Sequence, residues 1–139
     1  MDQLLINQKL ESLRRCVVRL ESRCPDTLEA LEADIDIQDI LALNLTRAVQ
    51  LCVDIAAHWI AEHHDLTSPI TMGQSFEVLA ERGVISRELA DNMRKSVGFR
   101  NIVVHNYEAV NWQVVFSICQ EHLGQFKQFA RTFMDPTVR

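Results

Sequence analysis

The chain reads as all-α, an up-and-down four-helix bundle with additional short helices, on three observations. Only four Gly and three Pro in 139 residues leave few places to break a helix. Apolar residues recur at alternating three- and four-residue steps through most of the chain. Between those stripes stand short-side-chain residues suited to capping helix N-termini.

Near the N-terminus Ile6, Leu10, Leu13, Val17 and Leu20 form one stripe. This helix is expected to stop near Cys24-Pro25, because the residue before proline is pushed out of helical geometry. Asp26 or Thr27 caps a short piece carrying Leu28, Leu31 and Ile35. A long helix over roughly 36–64 follows, its face built from Ile37, Ile40, Leu41, Leu45, Ala48, Leu51, Cys52, Ile55 and Trp59. At about 1.5 Å per residue it runs the full height of a bundle.

Residues 65–71 are a polar loop with Pro69. Thr71, or Met72-Gly73, opens a short helix carrying Phe76, Leu79 and Ala80, and Gly83 ends it. Ser86 caps a helix that runs through Leu89, Met93 and Val97. Gly98 inside that helix costs up to about 1 kcal/mol relative to Ala, which predicts a bend or a close approach by another backbone. Asn111 caps a last helix striped by Val115, Ile118, Cys119, Phe126, Phe129 and Phe133, with His122 as a partly buried bundle residue and Asp135-Pro136 at the end. No repeat, low-complexity tract or linker divides the chain, so residues 1–139 read as a single helical domain.

Composition narrows the classes. With 47% hydrophobic and 24% charged residues the chain is globular, not disordered. No segment reads as a membrane span of roughly 20 apolar residues, and Met1-Asp2-Gln3 lacks the basic start of a signal peptide. Cys16, Cys24, Cys52 and Cys119 have no C-x-x-C spacing and read as reduced core thiols of a cytoplasmic protein. The formal net charge of −5 argues against constitutive, non-specific nucleic-acid binding. The charge is uneven, however. Residues 26–39 carry six acids and no base, whereas Lys9, Arg14, Arg15, Arg19 and Arg23 crowd the first helix. Arg82, Arg87, Arg94, Lys95 and Arg100 make a second basic region. An acidic protein with local basic faces suits transient RNA capture or docking to a protein partner.

The residues that carry chemistry fall within 99–107, where Arg100, Asn101, His105 and Tyr107 stand close together. Arg100 offers a permanent charge and a planar fork of donors that suits a phosphate. His105 supplies the side-chain type that exchanges protons near neutral pH. Together they are enough to drive a ribose 2′-hydroxyl against its own phosphodiester without a metal. On an ideal helix Asn101 and His105 share a face, whereas Arg100 and His105 are about 140° apart. Arg100 and Tyr107 share a stripe only if the helix survives that far. Two copies facing one another, isologous as most dimers are, bring two Arg and two His into one cleft. His58, Glu62, His63 and His64 look metal-like but match neither H-E-x-x-H nor H-x-x-E-H, so no metal site is read there.

Arg-Asn-x-x-x-His-x-Tyr, after Val97-Gly98-Phe99, resembles the signature of the HEPN superfamily and, within it, the HepT toxins. Those are small all-helical proteins with an Arg-x4-His motif and a Tyr two residues on. The likeness runs from about residue 4 to residue 133 in helix order and lengths, including the long segment 39–64. The resemblance implies a metal-independent endoribonuclease, with no cofactor, whose two motifs meet across a homodimer. It implies RNA as substrate and, as partner, a minimal nucleotidyltransferase antitoxin of the MntA type that attaches AMP to the motif Tyr. Carried onto this chain, Arg100, Asn101 and His105 are the catalytic candidates, Tyr107 is the adenylylation site, and Arg94, Lys95, Arg100 and Tyr107 are the RNA-binding candidates. Asn101 is expected to hold the imidazole or a phosphate oxygen. Many members have Gly between the His and the Tyr, where this chain has Asn106, a residue that tolerates left-handed backbone. The competing reading is a non-catalytic HEPN module that binds nucleotide or serves as helical partner of a nucleotidyltransferase.

Overall fold

A computed structural model describes residues 2–63 and 65–139. Its order is α1 (Gln3–Arg23), α2 (Leu28–Glu32), α3 (Ile35–Ala61), α4 (Met72–Glu81), α5 (Arg87–His105), a 3₁₀ turn (Tyr107–Ala109), α6 (Trp112–Glu121) and α7 (Gly124–Met134). There is no strand among the described residues. α1 packs along α3, α3 on α5, α5 on α7 and α7 back on α1, which closes a four-helix bundle. α4 lies against α3 and α5, and α2 against α3 and α6.

The elements form where local chemistry requires. Side chains of Asp2, Thr27, Asp34, Thr71, Ser86 and Asn111 each accept a backbone N–H in the first turn of a helix. At Thr71 the contact is reciprocal, because Gln74 reaches back to the cap. Gly83 takes φ 74° to end α4, a conformation that disfavours a Cβ. α1 stops at Arg23, before Pro25. The stripes meet in one core around Leu13, Leu20, Leu45, Ile55, Phe76, Phe126, Phe129 and Phe133. There Phe76 meets Phe129 edge-on at 5.8 Å. The C-terminal tail is pinned by Trp59 Nε1 donating to the Val138 carbonyl at 2.9 Å.

Several expectations need correction. The last long helix is two helices, broken at His122-Leu123, and His122 is exposed at the end of α6. The break keeps the Phe126/Phe129/Phe133 stripe of α7 turned fully into the core. α5 runs unbroken through Gly98, and within the chain a Cβ there would meet nothing within 4 Å, so no backbone of the same chain crowds it. α3 ends at Ala61, and His64 lies outside the described residues. By length and composition α3 does pass for a membrane span, with a mean hydropathy of 1.5 over its most apolar window. Most of that window is buried among the other helices, so the apolarity is that of a core helix. Cys16, Cys52 and Cys119 are buried, whereas Cys24 is only half-buried.

Candidate functional site

The motif lies at the C-terminal end of α5, and each residue inherits a different environment from its place on that helix. Phe99 is buried and anchors the helix in the core. Arg100, next to it, is half-buried. Its Nε is buried and has no hydrogen-bond partner among the described residues, while one terminal nitrogen donates to Asn101 Oδ1 at 3.1 Å. A desolvated guanidinium nitrogen without an acceptor is costly, and a phosphate oxygen is the acceptor it matches best.

Asn101 therefore orients Arg100, not His105. Its carbonyl oxygen is taken by the guanidinium, and the residue lines a cavity of about 720 Å³. Thr71, Gly73, Arg94, Lys95 and Gly98 line the same cavity. His105 is the last residue of α5 and is exposed. No hydrogen bond holds its imidazole among the described residues. Within one chain the structure brings Arg100 and Asn101 together but does not join either to His105.

The helix does not survive to Tyr107. Asn106 closes α5 at φ −153°, on the negative side, so this position has no need of a left-handed residue. The chain then turns through the 3₁₀ segment, which carries Tyr107 off the Arg100 stripe. There its phenol donates to Asp39 Oδ1 of α3 at 2.5 Å, and its ring lies 5.9 Å from Trp112. Burial first, and then the Asp39 carboxylate, push the Tyr107 phenol above its ordinary pKa. Tyr107 thus stays a neutral donor, yet remains 40% exposed and reachable.

Sequence reasoning missed Asp39 as part of this site. It appeared only as the last acid of the 26–39 run, and nothing local ties it to a residue 68 positions away. Glu77 was missed as well. Its carboxylate takes Arg87 and Arg94 at 2.6 Å each, and Arg82 pairs with Asp65. Most of the expected basic face around the motif is thereby neutralised. Lys95 and Arg100 have no acidic partner there among the described residues. Of the metal-like cluster, His63 stacks on Trp59 at 3.7 Å and its Nδ1 lies 2.7 Å from the Trp59 carbonyl. No group of three metal-ligating side chains occurs among the described residues.

Comparison with known proteins places the chain in a family. The profile of the ribonuclease HepT-like family matches residues 13–133. The mRNA nuclease HepT of Shewanella oneidensis is 37% identical over 129 residues, covering 93% of this chain and 95% of that protein. A solved tri-AMPylated Shewanella oneidensis HEPN toxin, in complex with an MNT antitoxin, superposes with TM-score 0.87 at 35% identity, over 96% of this chain and 98% of that one. The structure of a toxin–antitoxin with AMP-PNP gives TM-score 0.85 at 34% identity, over 95% and 98%. The profile spans most of the chain and the identity extends over nearly its whole length: the chain belongs to the ribonuclease HepT-like family of the HEPN superfamily.

Proposed function

We propose that the chain is the toxin of a toxin–antitoxin pair: a metal-independent endoribonuclease, active as a homodimer in the cytoplasm and silenced by adenylylation of Tyr107. The observation that carries this reading is Arg100, whose buried Nε has no partner among the described residues and whose fork is steadied by Asn101, five residues ahead of a His105 that none of them engages. Membership of a family whose relatives are named nucleases and solved with antitoxins supports it.

In this mechanism His105 takes the proton from the ribose 2′-hydroxyl, whose oxygen attacks the adjacent phosphorus. The bond to the 5′-oxygen breaks, and His105, or the same residue of the second copy, returns a proton to it. Arg100 meets the charge that grows on the phosphorane oxygens. Lys95 and Arg94 flank the cavity beside Asn101 and hold neighbouring phosphates, with Arg94 competing against its own ion pair to Glu77. The second copy is called for because one chain leaves Arg100 and His105 apart. Its docking is favoured by apolar surface at the motif, where Ile102 and Val104 are 43% and 48% exposed.

Adenylylation joins the Tyr107 oxygen to the α-phosphorus of ATP as the bond to pyrophosphate breaks and the hydroxyl proton is lost, leaving a phosphodiester. The donor to Asp39 is lost and a new anion faces that carboxylate. The nucleotide also sits where RNA must enter. The test is made in cells. Expression of the chain alone arrests growth, and the partner nucleotidyltransferase restores growth while Tyr107 gains the mass of one or more AMP groups. Growth restored with Tyr107 unmodified removes the silencing mechanism. No arrest at all, with stable association to the nucleotidyltransferase, returns the protein to the non-catalytic partner reading.

A further inference from the structure

The ribonuclease reading leaves a charge problem, because an acidic protein has to hold a polyanion. At the motif Arg82, Arg87 and Arg94 are taken by Asp65 and Glu77. That leaves Lys95 and Arg100 at the motif, and further cations without a carboxylate beside them lie elsewhere. Between α1 and α3 lies a cleft of about 600 Å³ whose lining includes Arg15, Arg19, Arg47, Ser12, Leu43 and Gln50, and no carboxylate.

Arg19 and Arg47 have no acidic partner among the described residues. Arg15 lies 3.4 Å from Glu11, but that carboxylate already accepts from Nε and Nη2 of Arg14 at 2.9 and 2.7 Å. Arg15 and Arg19 stand one turn apart on one wall and Arg47 stands on the other, so guanidinium forks face the cleft from two helices. Buried Cys16 forms part of the floor, where it feels the charge of Arg47.

One face of α3 leads from the motif to the cleft. Asp39, which receives the Tyr107 hydroxyl, is followed at four-residue steps along α3 by Leu43 and Arg47. Those eight residues rise about 12 Å, a distance a few nucleotides cover. Leu43 lines the cleft and is 51% exposed, an apolar surface between the phenol and the cations on which a base can lie.

We propose that the α1–α3 cleft is a second RNA subsite, in which Arg15, Arg19 and Arg47 hold phosphodiesters of the strand whose scissile bond lies at the motif. This rests on the ribonuclease reading and deepens it. The cleft supplies length-dependent affinity, and the motif supplies the cut. Guanidinium forks match phosphate oxygens in pairs, and the polar Ser12 and Gln50 add hydrogen-bonding groups suited to ribose and phosphate.

The test uses the His105→Ala protein, which holds RNA without cutting it, and single-stranded RNA labelled at one end. Binding is followed across a salt series for oligomers of about 4 and about 20 nucleotides, spanning the usual range of single-strand site sizes. Arg19→Gln with Arg47→Gln is expected to flatten the salt slope for the long RNA by about 1.4, at about 0.7 per lost phosphate contact. The short RNA is expected to bind as before. Arg19→Lys with Arg47→Lys is expected to keep the steeper slope, because the charge is retained. If the Gln pair leaves the long-RNA slope unchanged while the protein with His105 intact still cuts RNA, the cleft proposal alone falls. Equal weakening for both lengths overturns it too, since the cleft would not be a separate subsite. Weakened binding of the nucleotidyltransferase with RNA binding unaltered assigns the cleft to an acidic protein instead. If the protein with His105 intact neither binds nor cuts RNA, the ribonuclease reading falls first and the cleft proposal with it.

Discussion

Replacing Asp39 by Ala removes the acceptor of the Tyr107 hydroxyl and nothing else that the motif uses. The magnitude follows from the geometry. A hydrogen bond to a carboxylate contributes about 1.5–3 kcal/mol when shielded from water. Tyr107 is 40% exposed and Asp39 is at the surface, so competition from solvent brings this one to about 1 kcal/mol. Chemical denaturation should show that loss near neutral pH. The sharper assay is spectroscopic, because Tyr107 is the one tyrosine in the chain and tyrosinate absorbance reports it alone. In the native protein its titration should lie above the ordinary value of about 10, driven first by burial and then by Asp39. Asp39→Ala should bring the midpoint down but not fully back, since the burial remains. The pH dependence has a fixed sign. A phenol whose folded pKa is raised holds its proton more tightly in the fold, so its stabilisation is complete below about pH 10 and fades as pH rises through the folded value. A native midpoint at the ordinary value, unmoved by Asp39→Ala, would refute the clamp and with it this account of how adenylylation disturbs the site.

Three further outcomes follow from the same geometry. Glu77→Gln should release Arg94 toward the cavity beside Asn101, strengthen RNA binding and steepen its salt dependence, with little change in thermal stability because the ion pairs lie at the surface. Gly98→Ala should raise stability by about 0.5–1 kcal/mol in thermal denaturation, since the site is helical and a Cβ meets nothing within 4 Å. Phe129→Ala should cost about 3–5 kcal/mol, because Phe129 is fully buried and packs on both Phe76 and Phe133.

Much of the fold was legible because periodicity and capping are local. The stripes of α1, α3 and α5, and the caps at Thr27, Thr71, Ser86 and Asn111, depend on residues within a turn of each other. The break at His122-Leu123 was not legible. Ile118, Cys119 and Phe126 keep a near-helical spacing across it, and neither Gly nor Pro interrupts the chain before Gly124. The site divides in the same way. Arg100, Asn101, His105 and Tyr107 stood out as candidates because they fall within eight residues in a pattern that resembles a family signature. The helix end between His105 and Tyr107, the grip of Asn101 on Arg100 and the Asp39 clamp arise from tertiary packing that no spacing encodes. The basic face was legible as composition, but ion pairing to Asp65 and Glu77 redistributed it. That pairing depends on which helices meet, and α4 meets α5 only in the folded chain.

The most direct test of the central claim is incubation of the wild-type protein and His105→Ala with total cellular RNA in excess EDTA, followed by analysis of the RNA ends. The account predicts cleavage by the wild type alone, leaving cyclic or 2′/3′-phosphate ends, as attack by the adjacent 2′-hydroxyl requires. Equal cleavage by both proteins, or cleavage that EDTA abolishes, would contradict it.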